Sequence, residues 1–508
     1  MQTEIDVRRL SLQRPRAVPF QSDHEKRAAP PEQRIPKLLF VTPEISDFVK
    51  SGGLGDVSAA LPRALRQTHD IRVLIPGYRQ VTSGRDIVEI ARLPAVAGLP
   101  SCGLGRLELP DGLIVYVVLS PELYDRDGSP YGSAAGDWSD NDIRFARLGL
   151  AAADMAGGIG GVGWQPDLLH VNDWPTALAP AYLAWRGQAV PTLLTIHNLA
   201  YQGLFDSERL PALGIPESAF QMHGVEFYGQ LSFLKAGIFY ARHATTVSST
   251  YAREITTAEF GCGLEGLLQT RAHQDRLTGI LNGIDESWDS RRDPHLAGHF
   301  DSRDLQGRQI NAAEVRDGFQ LGVSRGPLFA IISRLVQQKG IDLAIEAADK
   351  LVQQGGQIAV LGQGESQFET ALRHLARRNP GRVGVRIGFD EAQARCLYAG
   401  SDFLLMPSRF EPCGLSQMYA QRYGSLPVAH KTGGLADTIE DGVTGFLFSD
   451  LSLDGFMSSI ARAFQSFGSK GRLSAMRRAA MRRTAGWQQS AHRYGQAYDS
   501  MLASADLA

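Results

Sequence analysis

Lys37-Leu-Leu-Phe-Val-Thr42, then Lys50-Ser-Gly-Gly-Leu-Gly-Asp-Val57, then the apolar-periodic run Ser58–Arg66, is the stretch that decides the fold. The first segment is short, continuously apolar and β-prone, as a parallel strand buried on both faces should be. The second is a glycine-rich turn, and the third reads as a helix. Strand, glycine turn and helix together open a nucleotide-binding βαβ unit. Outward from it the alternation continues. Ile71–Ile75, Leu113–Leu119, Leu168–Val171 and Leu193–Ile196 read as strands, with helical patterns at Asn141–Met155 and Thr176–Ala184 between them. A second series follows: strand Leu328–Ile332, helix Ile341–Gln354, strand Gln357–Leu361, then short strands at Val383–Ile387, Phe403–Met406 and Leu426–Ala429. The pattern implies an α/β chain of two doubly wound, Rossmann-like domains. Residues 37–285 form the first and 286–480 the second, with the boundary near the turn Asn282-Gly-Ile-Asp285. Residues 481–508 read as a helical segment expected to cross back to the first domain. The basic stretch with Arg477, Arg478, Arg482 and Arg483 reads as a solvated helical face.

Composition bounds the function. A chain of 508 residues, 43% hydrophobic and 21% charged, is long enough for two cores. A net charge of −2 gives no global basic field to attract nucleic acid. Its four cysteines (Cys102, Cys262, Cys396 and Cys413) are far apart, which suits a reducing cytoplasm. No apolar run reaches the roughly 20 residues that span a bilayer, so no membrane partner is expected. Residues 1–36, rich in Arg, Pro and Gln with interspersed acids, read as a flexible tail rather than a targeting peptide.

Three loops carry the candidate chemistry. At Lys50–Val57 no Gly-Lys-Ser/Thr triplet closes a P-loop. Gly52, Gly53 and Gly55 instead let the backbone approach a ligand, with the amides of the next helix aimed at an anion. Lys50 adds a cation there, and Asp56 a carboxylate that would otherwise simply offset the helix dipole. Ser333–Gly340 follows a strand directly, which puts Arg334 and Lys339 at the C-terminal edge of the sheet, where open α/β folds bind ligands. Two cations there can neutralise a departing diphosphate without a metal, so no metal site is expected. They would otherwise be ordinary surface residues. In Ser408–Ser416, Glu411 stands just ahead of a helix start, where it either meets a developing positive charge or caps the helix.

Taken in order, these loops and several others resemble the bacterial and plant glycogen/starch synthases. The further segments are His170-Val-Asn-Asp-Trp174, Thr195-Ile-His-Asn-Leu-Ala-Tyr-Gln-Gly203, Leu281-Asn-Gly-Ile-Asp285, Arg409-Phe-Glu-Pro-Cys-Gly-Leu415 and Thr432-Gly-Gly-Leu-Ala-Asp-Thr438. The resemblance runs over about residues 37–495 in the family's order and spacing. It implies a GT-B glycosyltransferase whose two domains face a deep cleft, transferring glucose from ADP-glucose to the non-reducing end of an α-1,4-glucan with retention. It also implies a cytoplasmic enzyme with no cofactor beyond the donor. By position, Glu411, His197, Asp173, Arg334 and Lys339 would be catalytic. Lys50, Gly52, Gly53, Gly55, Asp56, Asn282, Arg334, Lys339, Cys413, Gly414, Leu415, Thr432, Gly433 and Gly434 would hold the donor, the last three offering backbone amides to its phosphate.

Two positions test the resemblance. Asn172 stands where the family usually has the second histidine of His-x-His-Asp-Trp, retaining hydrogen bonding but not protonation. Tyr419 stands where related nucleotide-sugar transferases carry a second glutamate, as is normal for the synthase branch. The competing readings are a related transferase with a small-molecule or lipid acceptor, and a catalytically silent glucan-binding protein.

Overall fold

The computed structural model describes residues 34–133, 136–483 and 486–505; the tail expected over 1–36 lies almost wholly outside them. Two parallel sheets dominate. The first runs, edge to edge, Leu277–Gly279, His243–Thr246, Thr192–Ile196, Leu168–Asn172, Lys37–Val41, Asp70–Pro76, Ile114–Leu119, Cys102–Glu108, Val88–Leu93. Its last two strands are antiparallel additions. The second runs Val383–Ile387, Gln357–Gly362, Leu328–Ile332, Phe403–Met406, Leu426–His430, Phe446–Phe448, all parallel. Strands 168–172, 192–196, 328–332 and 426–430 are buried throughout. That is why they read as unbroken apolar runs: helices cover both sheet faces.

The chain crosses between the sheets twice. The first crossing is the turn at residues 282–285. The second leads into the C-terminal helix Trp487–Ala505, whose Trp487, Tyr494, Tyr498 and Met501 join the hydrophobic core of the first sheet. The crossings touch each other. A Cβ on Gly283 would lie 2.7 Å from the Trp487 backbone nitrogen, and Ser490 Oγ donates to Leu281 O at 2.6 Å. Beneath the sheet, His170 bridges Tyr498 Oη and Thr195 Oγ1 at 2.7 Å each, which ties the returning helix to two strands that end at the cleft.

The structure departs from the sequence reading at two places. The helix expected from Ser58 begins at Gly53, so the glycine turn itself forms its first turn, behind an extended Gly52. The arginines expected on a solvated face are partly tied down. Arg477 is half-buried, pairs with Asp402 and donates to Gly424 O, bracing its helix, while Arg478, which donates to Ser302 O, Arg482 and Arg483 are exposed as expected.

Candidate active site

In each sheet the strand order reverses at one point, and the crevice there lies between loops that leave neighbouring strands in opposite directions. In the first sheet it falls between strands 37–41 and 168–172. The glycine loop leaves one and Asn172-Asp173 leaves the other. In the second it falls between 328–332 and 403–406. Their loops carry Lys339 and Glu411. The topology thus delivers most of the predicted residues to two crevices.

In the first crevice Lys50 pairs with Asp56 at 2.8 Å. Burial raises the Asp56 carboxyl above the usual range, and nearby Glu391 and Asp285 add to the effect against Lys50. The amides of Ser51 and Gly52 are already engaged, donating to Glu44 Oε2 at 2.5 and 3.3 Å. Glu44 also accepts from Tyr131 Oη at 3.2 Å, and its burial raises its carboxyl. The amides left for an anion are therefore those of the first helical turn, from Gly53 on, which have no intrahelical partner. Glu44 and Tyr131 were not among the expected site residues. Glu44 lies between the first strand and the glycine turn, a position that marks it only once the loop is folded.

Asp173 and His197 come together as expected. Asp173 sits at φ +55°, a strained conformation for a side-chain-bearing residue. It is held by hydrogen bonds to its Oδ1 from the backbone amides of His197 (2.7 Å) and Asn198 (3.4 Å). The His197 ring meets Asn172 Oδ1 through Nε2 at 3.0 Å. Burial pulls His197 down to about 3, so the ring is neutral, and pushes Asp173 up to about 7. The folded chain therefore keeps a proton on Asp173 that the unfolded chain loses from 3.8 upward, and stability falls as pH rises through that window. Asp173→Asn, isosteric and uncharged, is expected to raise the melting temperature at about pH 8, with the gain shrinking by pH 5. Thermal unfolding at the two pH values checks this; no gain at pH 8 would mean that the carboxylate ionises there without cost.

In the second crevice Lys339 Nζ contacts both oxygens of Glu411 at 2.6 and 2.8 Å, and Ser408 Oγ donates to Glu411 at 3.1 Å. Glu411 is only 5% exposed. Cys413 is buried and its thiol is pushed up to about 12, so it stays protonated and is not a nucleophile. Asn282 is buried beside it, and its Oδ1 has no hydrogen-bond partner among the described residues. The Thr432–Gly434 turn lies directly on the Glu411 loop. A Cβ on Gly433 would stand 2.0 Å from Glu411 O, and one on Gly434 1.9 Å from Cys413 O, so neither tolerates a side chain.

The turn's donors are not free in this structure, however. Gly433 N and Thr432 Oγ1 donate to Glu254 Oε1 at 3.0 Å each, and Gly434 N donates to Glu411 O. Glu254 comes from the first half of the chain. So do Thr250, which bonds Asp437 at 2.6 Å, Ser248, which donates to Pro412 O at 2.6 Å, and Tyr201, which accepts from Arg334 at 3.3 Å. A Cβ on Gly53 would rest 3.5 Å from Leu415. The two crevices therefore face each other.

No cluster of metal-binding side chains occurs among the described residues. The chain does contain two Asp-x-Asp triplets, a pattern that often holds a metal, and both are held by arginines. Asp125 and Asp127 pair with Arg79 at 2.7 and 2.5 Å, Asp140 with Arg126 at 2.5 Å, and Asp142 with Arg209 at 2.5 Å.

Two Rossmann-like sheets with opposed switch-point crevices define a GT-B glycosyltransferase. Residues 37–270 match the starch synthase catalytic domain and 318–478 the group 1 glycosyl transferases. The chain belongs to the glycogen/starch synthase family. It is 58% identical over 473 residues to the glycogen synthase of Pseudomonas putida, covering 93% of this chain and 91% of that one. It is 58% identical to glycogen synthase 1 of Bradyrhizobium diazoefficiens, over 90% of this chain and all of the relative. Among solved structures, the catalytic domain of starch synthase IV from Arabidopsis thaliana, bound to ADP and acarbose, aligns with a TM-score of 0.82 at 30% identity, over 92% of this chain and all of that one. Sucrose-phosphate synthase from Thermosynechococcus elongatus, at 17% identity and a TM-score of 0.60, shares the fold.

Proposed function

We propose that the chain transfers glucose from ADP-glucose to the non-reducing end of an α-1,4-glucan with retention of anomeric configuration. The observation that carries this is the Lys339–Glu411 pair at one switch point facing Lys50, Asp173 and His197 at the other. The relatives named glycogen synthase, and the ADP bound in the starch synthase IV structure, support the donor and acceptor.

In this reading Arg334 and Lys339 neutralise the diphosphate as the bond from C1 to the phosphate oxygen breaks. Glu411 meets the positive charge that develops at C1. The acceptor 4-hydroxyl attacks C1 from the face the phosphate leaves, and its proton passes to a phosphate oxygen, so no covalent enzyme intermediate forms. His197 and Asp173 contact the sugars. Lys50 and the amides from Gly53 on, together with Asn282, Cys413, Gly414 and Leu415, line the donor side. A phosphate at the Thr432–Gly434 turn takes the place now held by the Glu254 carboxylate. Opposed walls exclude water, which would otherwise intercept the activated glucose. A cytoplasmic location accompanies this reading. The donor is tested by incubating the purified protein with glycogen and either ADP-glucose or UDP-glucose and measuring nucleotide release. The account expects ADP-glucose to be preferred; equal or greater turnover of UDP-glucose would overturn the donor assignment.

A further inference from the structure

Asn172 is the position at which this chain departs from the His-x-His-Asp-Trp segment usual in its family, and its surroundings give it a definite task. It ends the strand Leu168–Asn172 and is 1% exposed. Its Nδ2 lies 2.9 Å from Val41 O, the last carbonyl of the neighbouring strand. A backbone carbonyl has no hydrogen to give, so the amide atom facing it must be the nitrogen. The amide oxygen is thereby turned toward His197 Nε2, 3.0 Å away. An amide oxygen only accepts, so Nε2 must carry the hydrogen. A neutral imidazole has one such hydrogen, and Nδ1 is left with its lone pair.

We propose that Asn172 is a positioning residue: it holds the proton of His197 on Nε2, so that Nδ1 takes a hydrogen bond from a sugar hydroxyl and cannot give one. This rests on His197 contacting the transferred sugar, as argued above. No described residue bonds Nδ1, and the neighbouring groups leave the ring alone. Asp173 takes the backbone amide of His197, not the ring. His170, on the same strand as Asn172, spends both ring nitrogens on Tyr498 and Thr195. Glu44 is bonded to Ser51, Gly52 and Tyr131. Burial keeps His197 neutral. A histidine ring nitrogen carries either a lone pair or an N–H, whereas an asparagine amide held to Val41 O by its nitrogen offers His197 only an oxygen. Asparagine removes that freedom.

The tautomer is read from ¹⁵N shifts of histidine-labelled protein without ligand, with the His197 signals identified by their loss in His197→Gln. The expected result is protonated Nε2 and bare Nδ1, unchanged from about pH 6 to 9. In Asn172→Asp the carboxylate opposite Nε2 favours the imidazolium, and the acid limb of kcat moves up by about 1–3 pH units. Asn172→His, the residue the family pattern places there, guards against misfolding: it is expected to fold, and the preference of His197 for the Nε2 proton is expected to weaken in the same spectra. A wild-type ring protonated on Nδ1 would overturn the proposal, as would an Asn172→Asp pH profile that overlays the wild type or an Asn172→His spectrum identical to it. Full activity in His197→Gln would instead overturn the sugar contact on which the proposal rests, whichever tautomer the spectra show.

Discussion

Glu411→Ala is expected to lower kcat by about 10²–10³-fold, the usual loss for one preorganised electrostatic group, with little change in the KM for donor. Glu411 is 5% exposed, held by Lys339 and Ser408, and its loop is braced from behind by the Thr432–Gly434 turn. A carboxylate fixed in that way does not need to reorganise when positive charge appears at C1, so its attraction is greater in the transition state than in the bound substrate. A helix-capping role predicts something else. Loss of a cap costs about 0.5–2 kcal/mol of stability and leaves turnover in the folded protein almost intact. Steady-state kinetics on the folded variant decides between them. Retention of more than about a tenth of wild-type kcat, well above the loss expected of such a group, makes Glu411 structural.

Lys339→Ala is expected to lower kcat by a similar factor of about 10²–10³ and also to raise the KM for donor modestly. The difference from Glu411 follows from charge. The diphosphate is anionic before the reaction and more so as it leaves, so Lys339 contributes in both states. Because Lys339 and Glu411 lie 2.6 Å apart, their effects should not add. The double variant Lys339→Ala/Glu411→Ala is expected to be less impaired than the product of the single losses, since each single change leaves the other charge without its partner. A double-mutant cycle on kcat measures this. Strict additivity would mean that the pair acts as two independent groups.

Much of this architecture is legible in the sequence because buried parallel strands write themselves as short apolar runs. The segments at 328–332, 357–361, 383–387, 403–406 and 426–429 all match strands to within a residue or two. The antiparallel strands Val88–Leu93 and Cys102–Glu108 are harder to see. One lies largely exposed at the sheet margin, and the other is interrupted by Gly103 and Gly105, so neither has an apolar run. The helix start at Gly53 is hidden in the sequence because glycines read as a turn, whereas Glu44 engages the preceding amides and lets the helix begin within them. Glu44, Tyr131 and Glu254 are not legible in the sequence for a common reason. Each reaches the site through a contact that only the folded chain makes, 7 and 8 positions on for Glu44, 87 away for Tyr131 and 179 for Glu254, and nothing in its local sequence signals the partner. Asn172 was visible as a substitution, but its effect on His197 depends on Val41, which is 131 positions away and aligned with it only by the sheet.

The most direct test of the central claim follows glucose itself. Purified protein, glycogen and ADP-glucose labelled in the sugar are incubated together, and the recovered polymer is digested with an enzyme specific for α-1,4 linkages at non-reducing ends. The account predicts that label enters the polymer in step with ADP release and is then freed completely by that digestion. Label that stays with free glucose, enters a small acceptor in preference to glycogen, or resists the α-1,4-specific enzyme would contradict it.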